Sequence, residues 1–375
     1  MEKTSIHKHF EDLSDPRSNR TKKHSLINVV FIALCAVICG AEDWASIERF
    51  GHMRLKWLSQ FLDLSNGIPS HDTFSRVFSL IDSSAFGKCF IFWVEGLTEK
   101  VKKVLAVDGK SMRGTRSQKK ELGALHLVNV WCCENQLVLG QEKVSDKSNE
   151  MTAIPKLLEL LDISGSIITI DAMGCQKEIC QLIKEKEADY VISLKGNQGN
   201  LHKDVELYFD SLHAGQFKTK ANTHSTVEKD HGRIEERDFF SVSLPKGLHS
   251  EGWEGLKSIA MVRSKRTIHG IESTENRYFI SSLKAEKIED IAYAVRAHWG
   301  VENGLHWRLD VSFNEDGWRA REGNSAENMA LINKMALNLL KKEPTAKLGV
   351  KNRRLMAAWD ENYLSKVLIG DLSKI

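Results

Sequence analysis

The sequence predicts an α/β protein: a mixed sheet with helices on both faces, a helical segment before it and a β-rich insertion within it. Three observations carry this. From about residue 101, three strand-like runs in meander are followed by helix, strand, helix, strand. Residues 1 to about 95 show helical spacing of apolar side chains instead. Residues 200 to 285 return to strand-like pieces separated by turn residues. A chain of 375 residues is long enough for two or three domains. The expected boundaries are a helical N-terminal domain (1–98), the first part of the sheet domain (99–200), the β-rich insertion (201–285) and a helical remainder of the sheet domain (286–375).

The N-terminal helices come first. "LINVVFIALCAVICGA", residues 26–41, is the most apolar stretch, but it is short for a membrane span, contains Asn28 and runs into polar sequence. It predicts a buried helix and no membrane. Trp44, Ile47, Phe50, Met53 and Leu58 then recur at steps of three to five. "GIPSHDTFSRVFSLID", residues 67–82, places Ser70 as a cap before Phe74, Val77 and Phe78. Such a helix either packs or reads DNA.

The sheet follows. Val104–Val107 is a short apolar strand that Asp108 is expected to stop; "LGALHLVNVWCC" and "LVLGQEKV" complete the meander across a turn at Glu134–Gln136. "MTAIPKLLELLD" is a helix, "SIITID" a strand, "CQKEICQLIKEKEA" a helix and "DYVISL" a strand. Within the insertion, "HGRIEERDFFSVSL", "LKSIAMVRS" and "NRYFISSL" are strand-like. A long helix is expected from about 287 to 309, and another at "SAENMALINKMALNLLKK".

Composition narrows the function. Apolar and charged fractions of 42% and 27% are ordinary for a globular protein. Seven cysteines, an odd number with no CxxC pair, disfavour zinc knuckles and a disulfide framework and fit a reducing cytoplasm. No signal-peptide core opens the chain. The net charge of +3 is small, so its distribution matters more. Basic groups stand at Arg20, Lys22 and Lys23, at Arg263, Lys265 and Arg266, and at Lys351, Arg353 and Arg354. Between Lys102 and Lys120, seven Lys or Arg residues surround a single acid, Asp108.

Asp108 and Asp171 share one context, an apolar strand ending in an acid followed by small residues. The ends of strands in an open α/β sheet are where ligands bind. If the strands are neighbours, the acids converge, and a hard cation such as Mg²⁺ relieves their repulsion. A plainer role for each is to cap the following turn. On the 287–309 helix, Ile288, Ile291, Val295, Trp299, Glu302, Leu305 and Leu309 fall on one face, where Glu302 is the one charge on an apolar stripe. Burying it unpaired costs several kcal/mol. A metal removes that cost, as does a pair with Arg296 or Arg308. Gly300 and Gly304 let a substrate or another backbone approach. Three carboxylates holding two divalent ions about 4 Å apart activate water and stabilise the leaving oxygen of a phosphodiester. Lys110, Arg113, Arg116, Lys119 and Lys120 would then hold the polyanion.

The segments "IPSHDTFSRVF", "VLAVDGKSMRGT", "ITIDAMGCQ", "YVISLKGNQ", "HGRIEERDF" and "HWGVENGLHWRLDVSFNED" resemble, in this order and spacing, the DDE transposases of bacterial insertion sequences, most closely the H-repeat-associated branch. The resemblance covers nearly the whole chain. It implies a ribonuclease H-like catalytic fold with Asp108, Asp171 and Glu302 as a catalytic, metal-binding triad for two Mg²⁺ ions, or Mn²⁺. Glu302 lies 131 residues after Asp171, as a β-rich insertion would produce. Relatives carry Tyr, Arg and Lys around the Glu; here Val295, His298 and Leu309 occupy those positions, with Arg296, His298 and Arg308 as candidate phosphate contacts. Lys195, Asn197 and Gln198 either touch DNA, with Lys110 and Arg113, or form a polar turn.

The function this implies is divalent-metal-dependent cleavage at transposon ends followed by 3′-hydroxyl strand transfer. The partners implied are double-stranded DNA, as ends and target, and a second copy of the chain. The expected place is the bacterial cytoplasm, at the nucleoid when bound to DNA. Two alternatives stay open: a DNA-binding relic without catalysis, and a metal-dependent nuclease or phosphatase.

Overall fold

The computed structural model describes residues 5–18, 22–97, 103–117, 123–145, 148–217, 219–230, 233–268 and 270–369. Arg20, Lys102, Lys119 and Lys120 lie outside the described residues.

Helices α1 (Ser5–Phe10), α2 (Leu26–Ile38), α3 (Trp44–Met53), α4 (Leu55–Leu58), α5 (His71–Leu80) and α6 (Ser83–Glu95) come first. Their starts follow capping chemistry. Ser25, Asp43, Ser70 and Asp82 each accept a hydrogen bond from a backbone N–H of the first turn. Helix α2 is 13 residues long and buried almost throughout, as its composition predicts. Among the described residues no single helix is long and apolar enough to cross a membrane.

Strands β1 (Val104–Met112), β2 (Leu125–Cys132) and β3 (Leu137–Lys143) form the meander, followed by α7 (Glu150–Leu160), β4 (Ile167–Ile170), α8 (Lys177–Glu185) and β5 (Asp189–Leu194). Then come α9 (Gly199–His213), β6 (Asn222–Asp230), β7 (Arg233–Ser243), β8 (Ser258–Ile268) and β9 (Ile271–Ser281). The chain closes with α10 (Ile288–Val301), a π-helical turn over 302–306, α11 (Trp307–Phe313), α12 (Ser325–Lys342), α13 (Val350–Trp359) and α14 (Glu361–Ile369).

Among the described residues, nine strands lie in one mixed sheet, ordered β3-β2-β1-β4-β5-β9-β8-β7-β6. β1, β4 and β5 run parallel, while every other pairing is antiparallel. A meander leading into α/β units is the element order the sequence predicts. The 201–285 segment differs from expectation in three ways. It overlaps α9, which spacing alone did not separate from its surroundings; it contains β6, whose polar sequence hides it; and its last strand pairs with β5, so the insertion extends the central sheet.

Strand alternation sends side chains to two cores. Leu105, Val107, Ile168 and Ile170 join α2, α7, α8 and α12 in the larger one, while Val104, Ile167 and Val191 meet Ile291 and Val295 of α10 on the opposite face. The N-terminal helices share the larger core, through Phe31, Phe78 and Phe90. Helix α12 closes the β3 edge: the Asn338 amide accepts from Val138 N and donates to Val138 O, both at 2.9 Å. An edge strand's free backbone groups are thereby satisfied.

Candidate active site

Asp108 does not end its strand. β1 continues to Met112, paired with β2, and what stops after Val107 is its pairing with β4. Hydrophobicity marks where a strand leaves the core, and here the ladder runs on beyond it. The register pairs Val107 with Ile170, so Asp108 and Asp171 are the next residue on each of two adjacent parallel strands. Alternation gives both the face that α10 covers.

The third acid reaches the same place from the helix. Glu302 opens the π turn at the end of α10. Asp108, Asp171, Glu302, His298 and Lys195 line one cleft of about 270 Å³. The expected apolar stripe holds at Ile288, Ile291, Val295, Leu305 and Leu309, which are buried, but Trp299 and Glu302 are exposed. Periodicity shows which residues share a helix face; it does not show that the neighbour across part of that face is a cleft. Glu302 is therefore no buried charge, and Arg296 pairs instead with Glu228 at 2.7 Å.

The acids sense one another. Burial pushes the Asp108 carboxyl up to about 7, and the negative charges of Asp171, Glu150 and Glu302 add to the shift, against a hydrogen bond from Gly109 N. Asp171 does cap the following turn, but with one oxygen: Oδ1 accepts from Met173 N at 3.0 Å and Gly174 N at 3.3 Å. Among the described residues no three His, Cys, Asp or Glu side chains stand close enough to grip an ion as placed. The donor set nonetheless fits a hard divalent cation. It is all oxygen and strongly anionic, and the Asp171, Glu150 and Glu302 charges that add to the burial-driven rise at Asp108 are ones a cation would offset.

The residues expected to meet DNA divide. Lys195 lines the cleft and is exposed, and the Arg113 side chain is exposed beside Asp316. Lys110 is a correction: it is buried, with its ammonium 2.7 Å from Asp310, 3.1 Å from Glu315 and 3.7 Å from Asp316. It neutralises the protein's own acids. Asn197 and Gln198 donate to the carbonyls of Ala172 and Cys175, so these amides hold the turn behind Asp171. His298 bonds Thr169 Oγ1 at 3.1 Å, and burial lowers its pKa to about 4, so it brings no positive charge to a phosphate at neutral pH. Arg308 lines a neighbouring groove with Trp131 and Gly304.

Three groups escaped the sequence reading. His306, four residues after Glu302, places Nδ1 3.5 Å from Asp108 Oδ2; burial lowers its pKa to about 3, so the contact is with a neutral ring. Glu150 pairs with His126 at 2.6 Å, and His126 with Ser111 at 2.7 Å. A Cβ on Gly109 would stand 2.0 Å from Glu150 Oε1, so the Glu150–His126 pair packs directly on the Gly109 backbone. The third group is a set of arginines on β7, β8 and β9. Charge at these positions was visible in the sequence, but the strand pairing that gathers it was not.

Known proteins resemble this chain over most of its length. Residues 99–339 match the family described as Transposase DDE domain, and residues 7–94 match the one described as DDE_Tnp_1-associated. "Putative transposase YncI" of Escherichia coli O157:H7 is 45% identical over 95% of this chain and 92% of its own length. "H repeat-associated putative transposase YhhI" of Escherichia coli K12 is 41% identical over 99% of both chains. A protein encoded in the dhlA 3′ region of Xanthobacter autotrophicus, uncharacterized by name, is 45% identical over 74% of this chain and 94% of its own.

Proposed function

The chain belongs to the Transposase DDE domain family, and from that premise we propose that it cuts DNA at transposon ends and joins the freed 3′-hydroxyl to target DNA, with Asp108, Asp171 and Glu302 as the residues that hold its divalent ions. The observation that carries this is the convergence of three acids from β1, the β4 end and the α10 end on one cleft.

Each residue's work follows from its surroundings. Asp171 is fixed by two backbone N–H groups through Oδ1. Asp108 has burial and three neighbouring acids opposing its ionisation, so it binds a cation or a proton more readily than a free carboxylate would. Glu302 is set by the π turn. When bound by this triad, Mg²⁺ or Mn²⁺ supplies Lewis acidity, a more acidic water and charge neutralisation at the leaving oxygen. Lys195 and Arg277 line the same cleft, and the Arg277 guanidinium lies 5.0 Å from the Trp299 ring centre. These cations would draw in the phosphate while neutral His298 braces Thr169. No covalent protein intermediate is required, in keeping with buried cysteines such as Cys175, whose thiol burial makes harder to ionise. The substrate is double-stranded DNA, and two ends call for two copies of the chain.

The test is strand cleavage of a candidate end with Mg²⁺, comparing wild type with Asp108→Asn and Glu302→Gln. Both variants should lose cleavage and keep end binding. Equal loss of both would refute the assignment. A wild type that binds ends without cutting them would mark a relic, and one that cuts all DNA alike a nuclease.

A further inference from the structure

A second cleft, of about 440 Å³, adjoins the carboxylate cleft and shares Arg277, Trp299 and Glu302 with it. Its charged lining is five arginines, Arg233, Arg237, Arg266, Arg277 and Arg296, against two glutamates, Glu235 and Glu302.

Strand geometry produces this cluster. Arg233, Glu235 and Arg237 are alternate residues of β7 and share one face. The register sets Arg266 opposite Glu235 and Ser264 opposite Arg237, then Arg277 opposite Val262, two residues along the same face of β8. The sequence run Arg263-Lys265-Arg266 is thereby split: Arg266 joins the groove, and the other two point to the opposite face. Arg296 completes the set from α10.

Internal ion pairs do not exhaust the charge. Glu235 is buried beneath three guanidinium groups, with Arg237 at 2.6 Å, Arg233 at 3.1 Å and Arg266 at 3.6 Å. One carboxylate orders three cations and cancels one. Arg237 Nη1 lies 3.1 Å from Glu228, which also faces Arg296, so one carboxylate serves two guanidinium groups there as well. The Arg233 and Arg266 side chains keep more than 40% of their surface exposed, so they remain open to a ligand. Glu228 and Glu275, outside the lining, offset Arg296 and Arg277.

We propose that this groove carries the phosphodiester backbone of a DNA strand to the carboxylate cleft. The proposal rests on the function argued above and adds where the strand lies. Planar guanidinium forks match phosphate oxygens in pairs. An array of them continuous with the acids suits a polymer of phosphates better than a single anion. Contacts of this type position DNA without reading its sequence.

The experiment is fluorescence anisotropy with a labelled candidate-end duplex and a random duplex of equal length, across a salt series. For Arg233→Ala with Arg266→Ala, binding should weaken on both duplexes alike, and the slope of log K against log salt should shrink by about 2. The paired Lys substitutions should restore the slope. Mn²⁺ binding measured by calorimetry should match wild type, because the acids are untouched. If the alanine pair fails to fold, Arg277→Ala should still shrink the slope by about 1. A folded alanine pair with wild-type affinity and slope overturns the proposal and leaves a structural ion-pair network, with the transposase reading intact. A wild type that binds neither duplex overturns both.

Discussion

Asp108 and Asp171 are register neighbours: each stands one residue past Val107 and Ile170, the last paired positions of two parallel strands. Adjacent strands lie about 4.8 Å apart, so backbone pairing alone brings these acids together. Burial raises the Asp108 pKa from an ordinary 3.8 to about 7, and the Asp171 charge adds to the rise.

That shift fixes a sign. Asp108 holds its proton more tightly in the folded chain than in the unfolded one. Between about pH 4 and pH 7 the native state therefore binds more protons, and the contribution to stability falls as pH rises. The gap is worth up to about 4 kcal/mol before solvent screening. In chelator at pH 8, Asp108→Asn should melt above wild type, and adding Mg²⁺ should raise wild type more than the variant. Calorimetry in the two buffers decides it; a variant that melts lower in chelator contradicts the strain.

Lys110 makes a different prediction from the one its place in a basic run suggests. Its ammonium contacts Asp310 and Glu315, and Glu315 is 1% exposed. Lys110→Met should cost about 3–5 kcal/mol in urea unfolding. DNA affinity per folded molecule should stay at wild type.

The π turn can be removed. Deleting Asn303 would let 302–306 relax toward an α-helix, swinging Glu302 by about 100° relative to α11. Cleavage should vanish while circular dichroism stays native, whereas Asn303→Ala should cut normally. Full activity in the deletion would show that the turn does not aim the acid.

Asn338 guards the β3 edge. Asn338→Ala leaves the buried N–H and C=O of Val138 without partners, which should cost about 2–4 kcal/mol. Hydrogen exchange should accelerate first at Val138; uniform acceleration across the sheet would argue against a local edge role.

Much of this was legible in the chain. Ser70 announced a helix start, and "SIITID" and "DYVISL" read as buried strands because both of their faces need apolar residues. Asp108 and Asp171 stood out because an acid ending an apolar run marks a strand leaving the core. What stayed hidden depends on partners distant in sequence. Lys110 looked like a DNA contact until Asp310 and Glu315 folded over it. Glu302 looked buried because a helical wheel does not show that part of its apolar face meets a cleft, as Trp299 and Glu302 both do. The arginines of β7, β8 and β9 meet only through cross-strand register, and β6 was too polar to read as a strand.

The continuity of the nine-stranded sheet has a mechanical result. β5 pairs with β4 on one side and β9 on the other, so Asp108, Asp171 and the strand arginines ride on a single hydrogen-bonded plate. Swinging one toward the other would tear ladder bonds along β5 and β9. On the proposed function, bending needed to bring a phosphate from the strand arginines to Asp108 and Asp171 would therefore fall on the nucleic acid, and transposon ends that kink easily would be the better substrates.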